Sequence, residues 1–276
     1  MFQPYMNLRR QRNGIFYGWW LTGVAALIMV IGTVPIFQGM TAWFVVLEGH
    51  FGWNKTQLSL AFSLTRVEGS VMGPIGGYLV DKLGSRRMVL IGLLILGAGF
   101  LAFSRINSLW QFYAAFVIMS VGAGLGSWLP MMTVLNNWFM RRRSTAMAMA
   151  MEGFSIGGVM LIPLLVWAIE PDIAGRPGWQ ATALAIGIAI IIVAFPISRL
   201  VRNRPEEYGT YPDGVARGLR STEIAVGANR AIVEDVEGYT WQQAVRTKEF
   251  WMITLAHACS STVIVTIMVH LGPMLV

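Results

Sequence analysis

Arg66, Glu68 and Glu152 are the only charged side chains deep within long apolar stretches of this sequence. A charge at the centre of a bilayer costs on the order of 3 kcal/mol on insertion scales unless it is paired or hydrated. Each of the three is therefore expected to face a bundle interior or a water-filled cavity. Arginine stays charged, and its planar fork matches a carboxylate. Arg66 is thus a candidate for holding an anion. Carboxyl groups in such cavities act in proton relays, which makes Glu68 and Glu152 candidates for carrying a proton. Arg66 and Glu68 are two residues apart, point to nearly opposite helix sides, and do not form one simple pair. The alternative is structural: a buried ion pair, for example Arg66 with Glu152, that fixes helix packing.

Other reactive residue types carry less. His257 and His270 stand in the last apolar run, either as protonatable cavity residues or as satisfied polar positions. Asn136 and Asn137 are expected to cap a helix end. Gly122, Gly124 and Gly126 lack the following Lys of a phosphate loop, and read as close packing or helix flexibility. The lone Cys259 excludes an intrachain disulfide and any cysteine-based metal site, and is read as packing. There is no zinc-site spacing, nucleophile elbow or Ser/His/Asp arrangement, so no catalytic activity, metal or cofactor is expected.

The elements that must position these residues are long and apolar. Hydrophobic residues make up 55% of the chain and charged residues 13%, about half the charge of a soluble domain. A helix crosses the ~30 Å hydrocarbon core with about 20 residues. Spans are predicted at 16–40, 56–80, 87–105, 109–137, 144–169, 179–201 and 249–275. The ~10-residue alternating segments of a membrane β-barrel are absent. Positive charge is one-sided: 17 of the 21 Lys and Arg flank alternate ends of these spans, and Lys55, Arg105 and Arg176 face the other way. The positive-inside rule puts the N-terminus in the cytoplasm, with Trp19 and Trp20 at the interface. These flanks also account for the net charge of +7 without a nucleic-acid partner. The basic opening followed by an apolar run reads as an uncleaved first span, since the run is too long for a signal core.

The turn between the second and third spans reads Gly77-Tyr78-Leu79-Val80-Asp81-Lys82-Leu83-Gly84-Ser85-Arg86-Arg87. Gly84 permits a tight reversal. Gly73 and Gly77 suit close helix contact. Asp81 can pair with a cation or cap a neighbouring helix, and Arg86 and Arg87 suit lipid headgroups. This turn resembles the signature loop of the major facilitator superfamily, Gly-x-x-x-Asp-Arg/Lys-x-Gly-x-Arg/Lys-Arg/Lys. In that family the loop steadies the outward-facing state, a role the resemblance assigns to Asp81. One departure is the absence of Arg from the fourth span, which leaves the usual partner of this acid without a counterpart.

Further segments are similar to the branch of monocarboxylate transporters and oxalate:formate antiporters. They run in order: Phe16-Tyr17-Gly18-Trp19-Trp20, then Asn137-Trp138-Phe139-Met140-Arg141-Arg142-Arg143 leading into Gly153, Ser155, Gly157, Gly158 and Pro163. Gly178-Trp179, Arg204-Pro205-Glu206-Glu207-Tyr208-Gly209, Tyr211-Pro212-Asp213-Gly214 and Phe250-Trp251 follow. Asp172-Ile173-Ala174-Gly175-Arg176 faintly echoes Asp81 to Gly84, as the family's inverted repeats would.

The resemblance implies an all-α polytopic membrane protein of the major facilitator fold. Residues 1–201 would form an N-terminal six-helix domain. Residues 202–247 would be a cytoplasmic linker with a short amphipathic helix near Trp241–Val245. Residues 248–276 would hold a seventh helix that starts a missing second domain. The chain stops at His-Leu-Gly-Pro-Met-Leu-Val without a polar flank, as expected of a fragment. The implied function is secondary transport by alternating access in the cell inner membrane. It would move a small organic anion, a monocarboxylate or dicarboxylate, by proton coupling or anion exchange. The competing readings are a truncated partner subunit that transports nothing and a seven-helix receptor or sensor.

Overall fold

In a computed structural model, the structure describes residues 16–170, 177–214, 243 and 245–274. Every regular element in the described residues is helical. Contacts divide the chain into two units, Met1–Ser221 and Thr222–Val276.

Among its described residues, the first unit holds six long helices. The first, α1, runs Tyr17–Phe51, well past the predicted end near residue 40. Pro35 and Gly39 suggest a stop, but the chain passes through a π-helical turn at Val34–Gln38 and resumes as helix at Met40. Trp43 bridges the irregularity: it is buried, and its Nε1 donates to the Pro35 carbonyl at 2.8 Å. Backbone groups freed by such breaks must find partners inside a membrane.

Helix α2, Lys55–Leu83, starts at a capping box in which Asn54 and Gln57 each satisfy the other's backbone N–H. Its 29 residues reach ~43 Å at 1.5 Å per residue. Then come α3 (Ser85–Phe103), α4 (Leu109–Trp138, π-helical at Gly124–Trp128), α5 (Arg143–Ile169) and α6 (Gly178–Leu200). Among the described residues, five helices are long and apolar enough to cross a membrane: α1, α3, α4, α5 and α6. Helix α2 has the length, but Lys55, Arg66, Glu68, Asp81 and Lys82 all lie on it.

Glycine sets the closest approaches. Gly92 on α3 faces Gly126 on α4 backbone to backbone, and Gly122 packs on Leu96. Gly97 and Gly187 join α3 to α6, while Gly153 and Gly157 receive Ala26 and Val30 of α1 on α5. The close-packing expectation holds for Gly122 and Gly126, whereas a Cβ on Gly124 would meet no other element within 4 Å among the described residues.

On α2 the contact seen among the described residues falls on a different glycine. Among the described residues a Cβ on Gly73 or Gly77 would meet no other element within 4 Å, and Gly76 carries the contact, against Leu125 and Leu129 of α4. Residues 76 and 77 differ by about 100° around a helix, and the side that meets α4 is the one holding Gly76.

The fully buried core includes Trp138, Phe100, Phe103, Phe112, Phe116 and Phe139. Around Phe103, at the end away from the α2–α3 turn, Phe51 stacks on Trp53 at 4.4 Å and Trp179 meets Phe51 and Phe103 edge-on at 6.0 Å.

In the second unit, α7 spans Lys248–Met274. Trp251 Nε1 donates to the Val245 carbonyl at 2.9 Å, and Cys259 is exposed rather than packed. His257 is exposed, with its Nε2 3.4 Å from the Ser261 hydroxyl one turn on. The Asp172–Arg176 echo lies outside the described residues, as do all but Gln243 and Val245 of the proposed amphipathic helix.

Candidate functional site

Helix α2 separates its two charges as the spacing predicts. Glu68 turns toward α4, where the Ser120 hydroxyl donates to its Oε2 at 2.7 Å. Ser120 itself is buried. Arg66 is exposed, with its guanidinium over the Phe62 ring one turn earlier, 4.7 Å from the centroid. Among the described residues, no carboxylate pairs with it.

Glu152 is exposed on α5. It does not pair with Arg66, so the buried ion pair is not formed among the described residues. Two of the three charged candidates thus stand open on this unit, and the third is held by one hydrogen bond.

Sequence reasoning passed over Gln38, which sits in the π-helical turn of α1 with its amide against Gly158 of α5. A polar residue in a local break of an apolar helix was the available signal, since π-bulges occur frequently at functional sites.

The α2–α3 turn is tight. Gly84 closes α2 and opens α3 with φ 78° and ψ 153°, a region essentially reserved for glycine. Asp81, Lys82, Arg86 and Arg87 around it are exposed, with Lys82 Nζ lying 5.8 Å from the Tyr78 ring centroid. Asp81 has no partner among the described residues.

A Cβ on Gly84 would also stand 2.7 Å from Asn203 Nδ2. Gly84→Ala is therefore expected to cost about 1–3 kcal/mol from backbone strain alone, read as a lower melting temperature in detergent. An unchanged melt would mean the turn adopts another conformation.

The basic turns meet at one end of the bundle. Tyr17 donates its hydroxyl to the Leu200 carbonyl at 2.9 Å, and Trp138 Nε1 donates to the Arg202 carbonyl at 2.9 Å. Asn137, expected as a cap, instead donates its side-chain amide to the Asn203 carbonyl at 3.3 Å.

Long apolar helices joined by turns whose cations lie mostly at one end define a helical, multi-pass membrane protein. The chain matches the Major Facilitator Superfamily profile over residues 15–276, and it belongs to that family. It is 24% identical over 246 residues to the oxalate:formate antiporter of Oxalobacter formigenes, covering 89% of this chain and 53% of the antiporter. It is 28% identical over 196 residues to monocarboxylate transporter 1 of Homo sapiens, covering 70% of this chain and 38% of that protein. With the Bos taurus monocarboxylate transporter 1, identity is 30% over 172 residues, 62% of this chain and 33% of the relative. These relatives are transporters, and no catalytic family is indicated. The chain spans about half the length of the antiporter and less of the others.

Proposed function

We propose that the whole protein is a secondary active transporter that moves a small organic anion, a monocarboxylate or dicarboxylate, by alternating access. The observation that carries this reading is Arg66: a permanent cation on a membrane-length helix, exposed and without a carboxylate partner among the described residues. Such a group needs a counter-charge or water, and an anionic substrate supplies the counter-charge. The likeness to an oxalate:formate antiporter across 89% of the chain favours the same substrate class.

In this reading residues 1–201 form the first six-helix domain, 202–247 link it to the second, and 248–276 begin that second domain. Asp81 and the open Gly73 and Gly77 are left for contacts that form and break during the transport cycle. The protein lies in the inner membrane with its arginine-rich end in the cytoplasm.

Uptake of radiolabelled oxalate, formate and lactate into proteoliposomes holding the full-length protein tests the proposal. Concentrative uptake of at least one supports it, and none in any gradient sinks it.

The carboxylates separate the coupling modes. Under proton coupling, Glu68→Gln or Glu152→Gln is expected to make uptake insensitive to an imposed pH gradient while counterflow exchange persists. Gradient-driven uptake that survives both substitutions would take the proton-carrying role away from these two carboxylates, and parent protein whose uptake responds to a counter-anion but to no pH gradient would leave anion exchange as the mechanism. Glu68→Gln keeps an acceptor for Ser120, so its effect reports proton chemistry rather than a lost contact.

A further inference from the structure

Helix α3 begins without a cap of its own. Its N-cap residue is Gly84, which has no side chain to offer the first-turn N–H groups. Those groups have no carbonyl partner within the helix. The missing acceptor comes from 117 residues away: Asn203 Oδ1 accepts the Arg86 N–H at 2.9 Å. The rest of the Asn203 amide lies against the bare face of Gly84, where a Cβ would meet it. Asparagine is among the strongest N-cap residues, and here it performs that function from beyond the end of α6.

Asn203 belongs to a strap that is itself anchored. The carbonyls of Arg202 and Asn203 accept from Trp138 and Asn137 at the end of α4. The Arg202 guanidinium lies between the Tyr17 and Tyr208 rings, 4.1 and 4.3 Å from their centroids. On composition alone the chain beyond Arg202 would be a free linker. Instead, Asp213 Oδ2 accepts the backbone N–H groups of Met140 at 3.0 Å and Arg141 at 2.8 Å. The strap thus runs from Arg202 to Asp213 and closes on the α4–α5 turn.

We propose that Asn203 is a positioning residue that caps α3 from a distance, and that the strap couples the α2–α3 turn to the α4–α5 turn so that the two basic turns move as one piece. The inference stands on this geometry and does not depend on which substrate is carried. Its consequence is that Asp81, Arg86 and Arg87 are presented in an orientation set from outside their own turn.

Buried serines at the two ends of α3 provide the test. Ser85 lies between the two residues that Asn203 touches and is 3% exposed, and Ser104 at the far end is 6% exposed. Each is replaced singly, Ser85→Cys or Ser104→Cys, in full-length protein freed of Cys259 and other cysteines. Maleimide labelling rates are then measured in membranes. Asn203→Ala is expected to speed labelling at position 85 roughly tenfold, in line with loss of a helix cap, with position 104 unchanged. Asn203→Asp keeps an acceptor and is expected to restore protection. Asp213→Ala, at the other end of the strap, is expected to expose position 85 as well. The capping role is overturned if Asn203→Ala leaves position 85 protected, if Asp fails to rescue, or if both positions open alike, which marks general destabilisation. The coupling is overturned if Asp213→Ala leaves position 85 unaffected.

Discussion

Arg66→Ala in the full-length protein is expected to lower organic-anion uptake by roughly tenfold to a hundredfold, the range for losing a hydrogen bond to a charged group. The protein itself should stay folded. Arg66 is exposed, and its one described contact is with the Phe62 ring. An exposed contact of that kind is worth about 0.5–1 kcal/mol. Arg66→Lys keeps the charge but loses the planar fork, so it should recover only part of the uptake of a carboxylate substrate. Uptake and thermal stability are measured on the same preparations. Wild-type uptake by the alanine variant would remove Arg66 from the substrate site, and a collapsed melt would return it to a structural role.

The largest effect on stability is expected at Gly92. A Cβ there would run into the backbone of Gly126 and stand 2.7 Å from the Leu125 carbonyl carbon. The reciprocal contact is looser but still tighter than a real Cβ tolerates, since a Cβ on Gly126 would lie 2.7 Å from both Gly92 C and Leu93 N. Backbone atoms have no rotamer to change, so α3 and α4 must separate along their length. Overpacking costs about 1–3 kcal/mol and occasionally more, and this site belongs at the upper end. At ~2–4 °C per kcal/mol for a unit of this size, Gly92→Ala should lower the melting temperature by roughly 10 °C. Gly124→Ala is the internal control, because a Cβ there would meet no other element within 4 Å among the described residues. It should stay within about 0.5 kcal/mol of the parent. Equal melts for the two variants would show that α3 and α4 do not pack at Gly92 and Gly126.

Much of this protein follows from the sequence through one constraint. Apolar runs of membrane length must satisfy their backbone groups internally, so they become helices. The predicted span 109–137 and the helix Leu109–Trp138 differ by a single residue at one end. The one-sided arginines and the turn from Gly77 to Arg87 pointed to the family that the profile match shows. Arg66, Glu68 and Glu152 stood out because a charge in an apolar run is costly wherever it faces.

What only the tertiary structure decided is which partner each surface has. Helical periodicity gives the spacing of Gly73, Gly76 and Gly77 but not the rotation of α2, and that rotation depends on Leu125 and Leu129 of α4. The predicted end of the first span near residue 40 falls short of Phe51 because the local signal cannot include the hydrogen bond that Trp43 returns to Pro35. Residues 202–214 read as the start of a linker because the connection they open is polar, mixed in charge and too long for an ordinary helix–helix connection. Their anchoring comes from Gly84, Arg86, Asn137, Trp138, Met140 and Arg141. Those partners lie far along the chain, with separations of 117 for Arg86 and 72 for Arg141. Composition reports whether a segment prefers water or lipid. A capping bond across that separation exists only once the helix ends have been brought together.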